Sequence, residues 1–342
     1  MDFGMLTDFH VRPGGSHAEA FAESFKQVEA AEAMGMDSVW LGEHHFTPDR
    51  SVLASPLVIA SAIAAATSRV RIGLAVQVLP LGNPLRLAEE AATVDQISKG
   101  RLDFGVGRSG LTRYYQGYNI PYGESRERFF ESLDVIMKAW TRDRFSHEGK
   151  YYSFHEVALV PRPYQSPHPP IRVAVASSAT FSLMGKQGFP IFCTTTAGID
   201  ELETRFGEYR KAYQEAGHPG EGNTTLRMPV HVAETDQGAR SEARESIMFG
   251  VRRAATDLAA VAASEELAER MRRTAETPYE QIVEQTAVCG SPEYVVQRVQ
   301  EYQRRLGITG VVMETNYGGL IPYDRVVNSI RLLAREVMPN FE

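Results

Sequence analysis

One hexapeptide, Leu41-Gly42-Glu43-His44-His45-Phe46, sets a carboxylate beside two imidazoles. Imidazole titrates near neutrality and passes protons in either direction, and a neighbouring carboxylate fixes its tautomer or raises its pKa. Side chains of successive residues after a strand point to opposite sides, so one histidine faces a pocket while the other packs or orients it. The reading places His44 in the pocket, Glu43 as its partner and His45 as its support. Carboxylate and imidazole are also zinc ligands, but contiguous residues rarely chelate one ion, HExxH spacing is absent, and Cys193 and Cys289 form no ligand pair. No catalytic metal is expected.

A second group of residues suits phosphate. Gly105, Gly107 and Gly110 match GxGxxG, but the pattern runs into the polar Thr112–Gln116 stretch before any helix and has no acidic residue about 20 positions on. Arg108 offers a charged fork, and Ala176, Ser177, Ser178 and Thr180 stand where a helix begins with its free N–H groups outward. Arginine plus a hydroxyl-lined helix start fits a phosphomonoester, while the same serines also fit plain helix capping.

These groups need a scaffold that delivers strand ends to one place. Short apolar runs alternate with amphipathic helical stretches along the chain, the pattern of a parallel sheet or barrel. Phe3–Leu6, Ser38–Leu41, Val70–Val78, Leu102–Val106, Ile171–Ala176, Pro190–Cys193, Leu226–Ala233 and Gly310–Met313 read as strands. Helices are expected at 17–35, 54–67, 84–99, 124–143, 236–276, 292–306 and 322–337, the first ended by Gly35 and the third by Gly100. The proline-rich stretch 145–170 reads as an extended excursion. Eight βα-like units without linker or repeat predict one (β/α)8 TIM barrel over 1–342, with insertions at about 111–170 and 236–290, after strands four and seven, the latter a lid. Reacting groups in such a barrel come from the C-terminal strand ends, where Glu43, His44, Ala75, Val76, Gly107, Arg108 and Ala176 all fall. Tyr114, Tyr115, Tyr118 and Phe192 offer an aromatic lining.

The composition excludes several classes. The 342 residues carry 36 Lys and Arg against 43 Asp and Glu, a net charge of −7 that repels nucleic acid and anionic lipid. The longest apolar tract, Leu57 to Ala66, falls short of the roughly 20 residues a bilayer span needs. The first residues lack the basic and apolar regions of a secretory leader, so a cytoplasmic protein with reduced cysteines is expected.

The EHHF segment, together with Asn83-Pro84, Asp95-Gln96-Ile97-Ser98-Lys99-Gly100-Arg101, Phe104-Gly105-Val106-Gly107-Arg108, Pro161-Arg162-Pro163 and Glu336-Val337-Met338-Pro339, closely resembles the bacterial luciferase-like monooxygenases. The resemblance covers essentially the whole chain. It implies reduced FMN at the barrel mouth, reacting with O2 to a flavin C4a-(hydro)peroxide that oxidises a small aldehyde, ketone or aromatic, polyketide-like substrate. It also implies a separate NAD(P)H:flavin reductase, since no nicotinamide motif is visible, and a homodimer paired through the helices near 57–66 and 84–99. On this resemblance His44 is the catalytic histidine and His45 its neighbour. Arg108, Ser177, Ser178 and Thr180 are phosphate positions, and Ala75 and Val76, where the family often has a non-proline cis peptide, lie beneath the flavin ring. Gly107 stands where luciferases carry a reactive cysteine, which leaves more room near the flavin and does not imply light emission. Relatives that bind deazaflavin F420, and non-catalytic flavin-binding relatives, are the alternatives. In the lid, Arg270, Arg272 and Arg273 are candidate hinge charges, or a solvated helix face.

Overall fold

The computed structural model describes residues 1–48, 50–195, 198–261 and 265–341. Among them eight parallel strands form the barrel: Asp2–Thr7, Ser38–Leu41, Arg71–Leu74, Leu102–Gly107, Ile171–Ala174, Ile191–Thr194, Thr224–Val232 and Gly310–Glu314. Each pairs with the next in chain order, and the eighth returns to the first through Asp2↔Gly310 to Leu6↔Glu314, which closes the ring. The expected fold is what is observed. No described helix is long and apolar enough to cross a membrane.

Local chemistry sets the element ends. Ser16 and Glu19 form a reciprocal capping box at the helix His17–Met34, and Asn83 accepts from the amides of Leu85 and Arg86 with Pro84 in the first turn. Gly35 and Gly188 close their helices in the left-handed conformation. In the helix Pro84–Ser98 that role falls to Lys99 at φ 56°, one residue before the expected Gly100.

The barrel interior follows the period of two. Trp40 points inward and fills the middle layer with Leu6, Ala75, Phe192 and Val312 around it. Glycines on both flanking strands make room: a Cβ at Gly4 would lie 2.5 Å from the indole, and one at Gly73 would also collide with it. This layer is a packed floor beneath the C-terminal strand ends.

Three expectations change in detail. The third strand is not continuous over 70–78; it stops at Leu74, crosses a cis peptide between Ala75 and Val76, and pairing resumes at Gln77–Val78. The excursion 145–170 contains an antiparallel hairpin, Phe145–Glu148 with Ser153–Val157. The long helix at 236–276 divides into Asp236–Ala259 and Glu265–Thr274, followed by Tyr279–Gln285 and a strand, Val288–Gly290, that adds to the seventh barrel strand.

Candidate active site

The loops after strands one and two are stitched together, and this fixes the histidines. Val52 donates its amide to the Phe9 carbonyl, His44 donates its amide to Leu53, and the Ser51 hydroxyl donates to the Asp8 carbonyl. Asp8 thereby arrives beside the EHHF segment. Its Oδ1 lies 3.0 Å from His44 Nε2, with both groups buried. The contact is short, and neither atom completes an aligned hydrogen bond among the described residues. Gly42 makes this approach possible, because a Cβ there would lie 2.6 Å from Asp8 Oδ1 and 2.8 Å from His44 Nε2.

Glu43 does not serve His44. It accepts from Gln77 Nε2 at 2.6 Å and the Val78 amide at 2.7 Å, and it meets His45 Nε2 at 2.8 Å. The other nitrogen of His45 faces the Tyr118 hydroxyl at 3.2 Å. Alternation after the strand explains the exchange: residues 43 and 45 share one side and residue 44 takes the other. His44 instead meets Asp8 and, at 3.4 Å from its Nδ1, the Tyr114 hydroxyl. Asp8 is the residue that sequence reasoning missed, since an acid 36 positions upstream of His44 forms no motif with the histidines.

Electrostatics separate the pair. Burial lowers the pKa of His44, against the pull of Asp8, which favours the neutral imidazole. Burial alone would raise Asp8, but His44, Arg227 and His10 together hold it well below the usual carboxylate range. A buried carboxylate facing a neutral imidazole is a built acceptor for an imidazolium.

The other predicted residues fall into two groups. Val76 packs against Gly107, where a Cβ would lie 2.5 Å from Val76 Cγ2 and 3.4 Å from the Ala174 Cβ. The space at Gly107 is therefore already filled by Val76, which corrects the expectation of extra room there. Arg108 and Ala176 follow the neighbouring strands four and five, paired through Val106↔Val173. The exposed Arg108 donates to Ser125 Oγ at 3.0 Å and, among the described residues, makes no direct bond to Ser177 or Ser178. Ser177 stands at the N-cap of the helix Ser178–Gln187, yet its side chain caps nothing and lies 2.9 Å from the Thr180 hydroxyl. Among the described residues the amides of Ser178 and Ala179 meet no acceptor.

The aromatic group is not brought together. Tyr114 and Tyr118 stand edge-on to His45, Tyr115 donates its hydroxyl to the Arg108 carbonyl, and Phe192 lies below on Trp40, ring centroids 5.4 Å apart. Arg272 pairs with Glu265 and Glu269 on its own exposed helix, a solvated face; the Arg270 side chain lies outside the described residues.

Comparison with known proteins places this architecture. The family model of luciferase-like monooxygenases matches residues 1–309. The chain belongs to the luciferase-like monooxygenase family. The oxygenase component of flavin-dependent trigonelline monooxygenase from Acinetobacter baylyi is 26% identical to this luciferase-like chain over 335 residues, covering 94% of this chain and 90% of the relative. Uncharacterized protein y4vJ of Sinorhizobium fredii is 37% identical over 190 residues, 55% of this chain and about half, 53%, of its own length. Among solved structures, monooxygenase RslO1 from Streptomyces bottropensis superposes with a TM-score of 0.86 at 26% identity over 100% of both chains. More distant structures share the fold alone. They include the oxygenating constituent of 3,6-diketocamphane monooxygenase from Pseudomonas putida in complex with FMN, TM-score 0.84, and an F420-dependent tetrahydromethanopterin reductase from Methanopyrus kandleri, TM-score 0.78.

Proposed function

We propose that this chain is the oxygenase component of a two-component monooxygenase that uses reduced FMN and O2 on a small organic substrate, with the flavin delivered by a separate reductase. The observation that carries the reading is the buried Asp8–His44 pair at the same barrel mouth as an open helix N-terminus and an exposed arginine.

The residues fit a flavin mononucleotide. Arg108, the unpartnered amides of Ser178 and Ala179, and the hydroxyls of Ser177, Ser178 and Thr180 suit its phosphate. Ala75, Val76 and Gly107, with Val76 packed over Gly107, are the residues that would lie against its ring. Reduced flavin, when bound, supplies the electrons that activate O2. The chain supplies proton management. Neutral His44 takes up or returns a proton at Nε2, and ionised Asp8 stabilises the imidazolium that results. Glu43, held by Gln77 and Val78, fixes His45 and so the loop that carries His44. Pairing of two copies through the helices Pro56–Ala66 and Pro84–Ser98 accords with exposed Val58 and Ile97, and light scattering tests it.

The test is titration of the purified protein under anaerobic conditions with reduced FMN and, separately, reduced F420, followed by admission of oxygen. Tight FMN binding with oxygen uptake supports the reading. Binding of F420 without FMN transfers the site to deazaflavin chemistry, and retained flavin without oxygen uptake makes the chain a flavin-binding protein. His44→Ala is expected to keep FMN affinity and to lower substrate oxygenation by about 10²–10⁴-fold.

A further inference from the structure

The mouth of the barrel above strands one, seven and eight holds more positive than negative charge. Four guanidinium groups stand there, on Arg50, Arg113, Arg227 and Arg253, against the carboxylates of Asp8, Asp257 and Glu314. Glu314 is taken by Arg227. Asp257 is divided between Arg113 at 2.7 Å and Arg50 at 3.6 Å, and Asp8 lies 3.0 Å from His44 and 3.9 Å from Arg50. Arg253 is left over. Among the described residues no carboxylate lies within ion-pair distance of it, and its guanidinium rests on the Phe249 ring, 5.2 Å from the centroid.

The helix Asp236–Ala259 aims this arginine at the site. Gly250 packs on Tyr317 so closely that a Cβ would lie 2.6 Å from the ring, and Ser246 Oγ donates to the Tyr317 carbonyl at 2.7 Å. Arg253 follows one turn later, and Asp257 one turn after that on the same face. Both enter the field of Arg50 and Asp8. Burial and the like charge of Arg50 lower the pKa of Arg253. The Nε atoms of Arg50 and Arg113 are buried without acceptors among the described residues. Arg253 is half-buried, and among the described residues its charge is answered only by the Phe249 face and by the more distant carboxylates of Asp8 and Asp257.

We propose that Arg253, with Arg50, is the seat for one anionic head group of carboxylate type on the organic substrate, so that the enzyme acts on organic monoacids held beside His44. The inference rests on the oxygenase reading, since it names the substrate class for that site. One bound monoanion balances the count of four guanidiniums against three carboxylates and gives the open Nε donors an acceptor.

The experiment is thermal unfolding of wild type and Arg253→Met, followed by tryptophan fluorescence without flavin. The probes are benzoate against benzamide and hexanoate against hexanamide. At least one acid is expected to raise the wild-type midpoint by about 2 °C or more beyond its amide. Arg253→Met should abolish that difference and, alone, melt at the same temperature as wild type or higher. The proposal is overturned if no acid exceeds its amide, if the variant keeps the difference, or if the variant alone melts lower, as a structural cation would make it do. Stabilisation by the acid that vanishes in saturating FMN places the acid in the phosphate pocket and also overturns it. FMN titration of the same samples separates the two readings: intact FMN binding without an acid effect removes only the monoacid seat. An acid effect without FMN binding removes only the flavin reading.

Discussion

The two ends of the barrel use arginine in opposite ways. At the N-terminal end Arg101 places all its donors: on the carbonyls of Ala64, Thr67, Val70 and Ser98 and on the Thr67 hydroxyl, at 2.8–3.0 Å. Two of these acceptors are carbonyls at the C-terminal end of the helix Pro56–Ala66, which lack partners within the helix. Arg71 likewise binds Asp103 and the carbonyls of Gly100 and Leu102. Arg172 Nε is the exception at that end. At the C-terminal end Arg50, Arg113 and Arg253 keep donors or charge unanswered. One end is closed by its own bonds and the other leaves donors open where a ligand is proposed, which is the division of labour expected of this fold.

Exchanging an arginine at each end is the strongest way to break the comparison. Arg101→Met removes five hydrogen bonds and strands helix-end carbonyls, so urea denaturation should show a loss of about 4 kcal/mol, with turnover of the folded fraction unchanged. Arg50→Met leaves Asp8 with His44 and Asp257 with Arg113, so it should cost about 1 kcal/mol or less while lowering turnover at least about tenfold. Equal stability losses from the two variants would erase the distinction.

Acid should loosen the two ends unequally. Burial pushes His10 down to about 4 and also lowers His44. Between pH 6.5 and 4 the unfolded chain takes up protons that the folded chain refuses, so stability present above pH 6.5 falls as the pH falls. For His10 alone the loss is about 3 kcal/mol by pH 4. Asp8, held below its ordinary value, loses its contribution only at still lower pH and does not mask the effect. Hydrogen exchange at pH 5 should release the amides of His44 and Val52 before those of Ile72 and Phe104, and His10→Gln should flatten the pH dependence.

Much of this contrast was legible in the sequence, and the part that was not has a physical cause. Strand and helix alternation located all eight barrel strands, because each is a short buried run bounded by turn residues. EHHF marked the candidate site, but its partners could not be assigned by adjacency. Glu43 goes to His45 because the backbone alternates, and Asp8 reaches His44 only through loops joined in space. Arg227 and Glu314 carried a readable signal, charges inside the apolar runs Leu226–Ala233 and Gly310–Met313 or directly after them. The strand Val288–Gly290 carried none, being three residues long and set only by pairing.

Gly42 sharpens the comparison at smaller cost. Alanine there must part Asp8 from His44, since its Cβ would sit 2.6 and 2.8 Å from their reacting atoms. Thermal unfolding should register about 1–2 kcal/mol of destabilisation, typical of overpacking. The larger consequence is a turnover drop of at least about tenfold with FMN affinity retained, because the disturbed contact is the one proposed to manage protons. If Gly42→Ala turned over normally, the Asp8–His44 pair would be packing rather than chemistry.

The smallest expected effect is the most discriminating about the open end. A serine at an N-cap ordinarily stabilises its helix by about 1 kcal/mol, because its hydroxyl accepts from an otherwise unpaired amide. Ser16 does so at Glu19, and Ser291 caps its helix through the Tyr294 amide. Ser177 occupies the same position but spends its hydroxyl on Thr180, leaving the amides of Ser178 and Ala179 without acceptors. Ser16→Ala should therefore lower stability by about 1 kcal/mol, whereas Ser177→Ala should change it by no more than a few tenths, roughly the noise of a urea titration. Flavin titration should reverse the ranking, with FMN affinity several-fold weaker in Ser177→Ala and unchanged in Ser16→Ala. A full capping penalty at Ser177 with unchanged FMN affinity would mean that this helix start serves the fold alone, and the phosphate would have to be held by Arg108 from the neighbouring strand.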